Sequence, residues 1–149
     1  MSEAYQSSIQ QKCVNAVRIL SAEAVSNANS GHTGICMDAA PVGFLLYSEF
    51  MKYSLSNPEW ENRDRFVLSA GHGSALLYSL LYLFGNRLAV EDIRQFRRFG
   101  SKTPGHPEYG VTAGVDCSTG PLGQGSPARW VWLWRKRTSR KFSTEKNFL

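Results

Sequence analysis

The chain has 149 residues, of which 42% are hydrophobic, enough for one domain with a real core and too apolar for wholesale disorder. Its net charge of +5 is unevenly placed: residues 1–125 carry 10 basic against 11 acidic side chains, whereas residues 126–149 carry 7 against 1. The main body therefore gives no reason to invoke nucleic acid, and its longest apolar stretch, residues 75–84, is too short to span a bilayer.

In chain order, apolar or small residues at helical spacing (Cys13, Ala16, Val17, Leu20, Ala24, Ala28) predict an amphipathic helix over residues 10–29, ended by Ser30-Gly31. A Gly/Thr loop is expected next, then a second helix through residue 53 with Pro41 in its first turn. Residues 65–68 form a short apolar run consistent with a buried strand. The segment SAGHGS then leads into a helix over residues 75–84, closed by Gly85-Asn86. A further helix, residues 90–97, is acidic at its start and basic at its end, as the helix dipole favours. Residues 100–125 hold seven glycines and three prolines with no period, which points to a ligand-contacting loop. Helices alternating with an apolar strand suggest an α/β architecture.

The three histidines each follow a glycine: Gly31-His32, Gly71-His72-Gly73 and Gly105-His106-Pro107. Imidazole donates, accepts and titrates near neutrality, which suits hydroxyl and carbonyl substrates, and glycine lets backbone approach a ligand closely. No short His-x-x-x-His spacing supports a zinc site. The run Gly120-Pro121-Leu122-Gly123-Gln124-Gly125 is neither a Rossmann fingerprint nor a P-loop, yet such loops still offer backbone N–H groups to phosphates. Cys13, Cys36 and Cys117 are widely spaced and form no CxxC pair. They read as reduced thiols, so a cytoplasmic or organellar-stroma location is expected. The opening MSEAYQSSIQQK shows no secretory pattern.

Four words, SGHTG (30–34), NRDRFVLSAGHGSALLYSLLYLFG (62–85), FRRFGSKTPGHPEYG (96–110) and STGPLGQG (118–125), closely resemble the transketolase family in order and approximate spacing. The resemblance implies a parallel-sheet α/β domain that binds thiamine diphosphate, with a divalent cation such as Mg2+. It also implies transfer of a two-carbon ketol unit from a ketose phosphate to an aldose phosphate, within a homodimer. By the same resemblance His32 and His106 are the catalytic, sugar-binding histidines and His72 lies against the diphosphate. Gly120, Pro121 and Leu122 line the cofactor, and Arg97 grips the acceptor's phosphate, with a plain helix-end charge as its rival reading. Thr33 stands where the family has proline, and Asp38 where it has a small residue. No Gly-Asp-Gly motif occurs, so the metal's aspartate and asparagine are missing. The family's second domain, with the glutamate that activates the cofactor, is absent too, and a truncated, inactive product is expected.

Residues 126–149 are not expected to be family sequence. The family follows GPLGQG with a helix resembling V-G-M-A-L-A-E, whereas this chain reads SPARWVWLWRK. Tryptophan has the single codon TGG. Shifting the frame by one base turns Trp-Val into GGT (Gly), Val-Trp and Leu-Trp into NTG (Met, Leu or Val), Trp-Leu into GCT (Ala) and Trp-Arg into GCG (Ala). Arg135-Lys136 can give GAA (Glu). That regenerates the family's helix, so a frameshift near Gly125, regained near Lys136, explains more than its rivals. Those rivals are a non-functional remnant and a basic, Trp-rich module for nucleic acid or membrane surfaces. Resequencing the gene across Gly125 is expected to show Leu133 encoded by a four-codon-set triplet and V-G-M-A-L-A-E in the shifted frame. A TTA or TTG codon at Leu133 would remove the alanine and contradict the frameshift.

Overall fold

The computed structural model describes residues 3–134, which form helices joined by loops, with no strand among the described residues. In order they are α1 (Glu3–Ala28), α2 (Thr33–Leu45), a π-helical turn (Leu46–Phe50), a 3-10 turn (Gly71–Gly73), α3 (Ser74–Leu83), α4 (Val90–Arg94) and α5 (125–134). No helix among the described residues is long and apolar enough to cross a membrane.

Helix α1 begins earlier than the sequence pattern suggested and ends where expected. Its stop is a Schellman motif: Asn29 takes φ 49°, Asn29 N–H donates to Ser26 O (3.0 Å), and Ser30 N–H donates back to Val25 O (3.3 Å). Val14, Val17, Ser21, Ala24 and Val25 form its buried stripe, which faces α2 and α3. At the contact with α3 the buried Ser21 hydroxyl donates to Val17 O (2.7 Å) and lies 3.1 Å from Ser79 Oγ.

Helix α2 corrects the expected loop. It starts at Thr33, directly after His32, so Pro41 falls inside the helix rather than in its first turn. Proline has no N–H, so the carbonyl of Met37, one turn earlier, loses its helical donor. Arg18 of α1 replaces it, with Nε donating to Met37 O at 3.0 Å. A π-helical turn then carries the chain to Phe50, short of the helix end expected at residue 53.

Helix α3 is the centre of the molecule. Ser74 to Leu81 are all buried, so it is covered on every side. Burying a leucine stabilises by about 1.5–3 kcal/mol, and α3 buries Leu76, Leu77, Leu80 and Leu81. Helix α2 approaches so closely that a Cβ on Gly43 would lie 2.6 Å from Leu80 Cδ1. The end of α3 is a second Schellman motif, with Gly85 at φ 80° and Asn86 N–H donating to Leu81 O (2.9 Å). Helix α4 stops at Arg94, leaving Arg97 in the loop beyond it.

The run 65–68 carries no ladder, which corrects the expected strand. A strand needs a neighbour's backbone, and here side chains stand in for one. Phe66 N–H donates to Asp116 Oδ2 (2.9 Å), and Leu68 O accepts from Thr119 Oγ1 (2.7 Å). Asp116 also pairs with Arg63 Nη2 at 2.7 Å. Burial pushes its carboxyl above the usual range, against the pull of the Phe66 N–H, Arg63 and Arg65.

The first part of the tail is helical, but its apolar side faces outward. Trp130, Leu133 and Trp134 share one face of α5 and are 66%, 48% and 71% exposed. Trp132 points the other way, against the Arg65 guanidinium. The rest of the predicted aberrant tail, residues 135–149, lies outside the described residues.

The Arg18–Met37 bond predicts a coupling. Arg18→Met should cost about 1–3 kcal/mol by leaving a carbonyl unpaired. In a Pro41→Ala background the new N–H serves Met37, and the same change should cost far less. A denaturant double-mutant cycle checks this; additive losses would contradict it.

Candidate functional site

Each glycine-bounded histidine reaches the site from a different segment. His32 is the N-cap residue of α2, with extended backbone (φ −125°, ψ 103°), and its side chain makes no capping bond. The imidazole instead meets His72 edge-on, with ring centroids 4.9 Å apart and ring planes at 80°.

His72 sits in the 3-10 turn that opens α3. The glycines beside it are required by close approach rather than by unusual backbone angles. A Cβ on Gly71 would lie 2.8 Å from the backbone C and O of Thr119, and one on Gly73 would lie 3.1 Å from Ile35 Cγ2. The turn is therefore held between the 119 loop and α2.

His106 lies in a loop whose three successive carbonyls are all held by α3. Tyr78 Oη shares its one proton between Pro104 O (2.9 Å) and His106 O (3.2 Å), and Ser74 Oγ donates to Gly105 O (2.7 Å). Thr119 N–H donates to Pro107 O (3.1 Å), and Tyr109 N–H to Ser118 Oγ (2.8 Å). These bonds bring Gly120 beside the imidazole: a Cβ there would meet only His106, at 3.9 Å. Pro121 and Leu122 follow on the surface, with Leu122 75% exposed.

Arg97 joins the first and third loops. Its backbone is left-handed (φ 62°), an unusual conformation for a bulky residue, and its N–H donates to Thr103 O (2.9 Å). Arg97 Nη1 donates to Ser30 Oγ (2.7 Å), and a Cβ on Gly105 would lie 3.2 Å from Arg97 Nε. Arg97 lies in the loop beyond the end of α4 rather than in its last turn.

The structure thus pairs His32 with His72 and His106 with Gly120, links the two pairs through Gly71 and Thr119, and sets Arg97 against the loop before His32. Sequence reasoning missed Ser74, Tyr78 and Thr119. The first two had a readable signal: hydroxyls four residues apart inside an apolar run share one helix face. Cys36 is buried one turn after His32, donates to His32 O (3.2 Å), and has its thiol pushed up by burial. Cys13, Cys36 and Cys117 are all unpaired thiols.

The site is an open face. The two best-formed clefts, of about 50 and 70 Å3, contain none of the three histidines. Among the described residues no group of three or more His, Cys, Asp or Glu is placed to hold a metal ion. The side chains of the described residues do not fit a divalent cation. They do fit part of a phosphorylated cofactor's surroundings: open backbone at Gly120, an exposed leucine, and a histidine in the turn at the N-terminus of α3.

The family described as "Transketolase, thiamine diphosphate binding domain" matches residues 9–145. A transketolase of Bacillus subtilis is 62% identical over 117 residues, covering 78% of this chain and 18% of the relative. The chloroplastic transketolase-1 of Arabidopsis thaliana is 57% identical over 120 residues, 80% of this chain and 16% of the relative. Among solved structures, the Pichia stipitis transketolase in complex with sedoheptulose-7-phosphate superimposes with a TM-score of 0.77 at 49% identity. That match covers 79% of this chain and 17% of the other. The chain therefore spans less than a fifth of the length of these relatives.

Proposed function

The chain belongs to the transketolase family, and from that premise we propose that it forms the diphosphate side of a thiamine diphosphate site in a ketol-transferring enzyme. The observation that carries this reading is the convergence of the His32, His72 and His106 loops on α3, with Gly120 beside His106. When bound, thiamine diphosphate supplies the carbanion chemistry that ketol transfer needs. The residues of this chain bind and orient. His72, in the turn that opens α3, faces the diphosphate, which the helix N-terminus also favours. Gly120 and Pro121 offer backbone to the cofactor, and Leu122 offers apolar surface.

His32 and His106 take the sugar hydroxyls, with His32 moving the hydroxyl proton. Arg97, already turned toward Ser30, anchors the acceptor's phosphate, a task suited to a planar bidentate donor. Sugar phosphates as substrates are supported by the Pichia stipitis transketolase structures, whose complexes contain sedoheptulose-7-phosphate and fructose-6-phosphate. The cation, expected to be Mg2+, takes its ligands from elsewhere in a complete homodimeric enzyme. A parallel sheet is part of the same reading, with residues 65–68 as a strand once neighbours are supplied. The unpaired cysteines support a reducing compartment, cytoplasm or organellar stroma.

Residues 1–125 are the family part of the chain, and the aberrant tail, 126–149, begins with the product of a frame change. The 117- to 120-residue reach of the relatives and the outward-facing tryptophans of α5 support the boundary. The family match running on to residue 145 supports the frame being regained.

The purified 149-residue chain should show no ketol transfer. In a frame-restored, full-length enzyme, His32→Ala should lower kcat by about 100- to 10,000-fold with cofactor affinity unchanged. His72→Ala should weaken thiamine diphosphate binding and be partly rescued by excess cofactor. Ketol transfer by the chain alone, or intact turnover in His32→Ala with intact cofactor affinity in His72→Ala, would contradict the assignment.

A further inference from the structure

Two hydroxyls on α3 have no use within the hydrophobic core. Ser74 is 0% and Tyr78 1% exposed, in a helix whose other buried positions are alanine, leucine and Ser79, which pairs with Ser21 instead. A buried hydroxyl without a partner costs about 1–3 kcal/mol, so apolar side chains would serve the core better. Both hydroxyls are spent on one loop. Together they hold the carbonyls of Pro104, Gly105 and His106.

That loop needs them. Pro104 and Pro107 have no N–H and restrict the backbone on both sides of His106, so the segment cannot close regular hydrogen bonds of its own. Its shape is set from outside, by two side chains that share one face of α3. The same helix opens at the turn that carries His72. The Tyr78 ring also meets Phe96 edge-on, with centroids 6.1 Å apart, immediately before Arg97.

We propose that Ser74 and Tyr78 are positioning residues that fix the His106 loop to α3, so that His106 and His72 are held by one rigid element. Neither touches substrate or cofactor; each acts through the backbone of the loop. That this placement serves sugar binding rests on the function proposed above, whereas the anchoring itself does not.

The test uses the uniformly 15N-labelled 149-residue chain, read by nuclear Overhauser contacts and amide exchange. Tyr78→Phe keeps the ring and removes both hydroxyl bonds. The contact between the His106 ring and the Gly120 α-hydrogens should be lost, and the Thr119 amide, bonded to Pro107 O, should exchange roughly 5- to 30-fold faster. The His32–His72 contact should remain. Ser74→Ala should act in the same direction and Ser74→Thr, which restores a hydroxyl, should recover the contact; this pair decides the matter if Tyr78→Phe does not fold. An unchanged His106–Gly120 contact overturns the proposal. So does loss of the His32–His72 contact along with it, since that marks a general structural role. In the frame-restored enzyme, a displaced His106 with unaltered kinetics for the sugar would sink the functional reading and leave the anchoring standing.

Discussion

A helix buried around its whole circumference leaves its surroundings little choice. Every face of α3 from Ser74 to Leu81 must be covered, and α1, α2 and the glycine- and proline-rich chain after α4 supply the cover. The stretch 104–106, bounded by Pro104 and Pro107, takes the donors for its carbonyls from the helix it covers. Ser74 and Tyr78 are those donors for the 104–106 loop, and Thr119 returns a bond to Leu68. The histidine loops are therefore positioned by the same contacts that close the core. Stability and site geometry cannot be separated here.

The second consequence is how tightly the loops approach one another. Gly71 against the Thr119 backbone leaves no room for a side chain, and Gly73 is tight against Ile35. The glycines that flank His72 serve backbone proximity first. Gly120 is half-buried beside His106, and Leu122 after it is exposed. The result is one wall of a site rather than a pocket, as suits a chain that spans less than a fifth of its transketolase relatives.

How much of this was legible in the sequence varied with the physics involved. The buried stripe of α1 and the end of α3 could be read, because apolar period and a left-handed cap are local signals. The glycine-flanked histidines announced themselves for the same reason. Helix α2 was misread because proline normally starts or breaks a helix; only Arg18, on another helix, makes Pro41 tolerable in its interior. Residues 65–68 have the composition of a strand, but a ladder depends on neighbours that composition cannot supply. Ser74 and Tyr78 looked like interruptions of an apolar run, since their partners lie far along the chain. The left-handed turn at Arg97 left no mark in the sequence at all.

On the function proposed above, this wall recognises the diphosphate of thiamine diphosphate. Titrating the 15N-labelled chain separately with thiamine diphosphate and with thiamine, and following backbone amide and imidazole signals, tests it most directly. Thiamine diphosphate should shift His72 and the amides of Gly120 and Leu122, while thiamine at the same concentration should leave them in place. Equal responses to the two ligands, or shifts confined to residues remote from these loops, would contradict it.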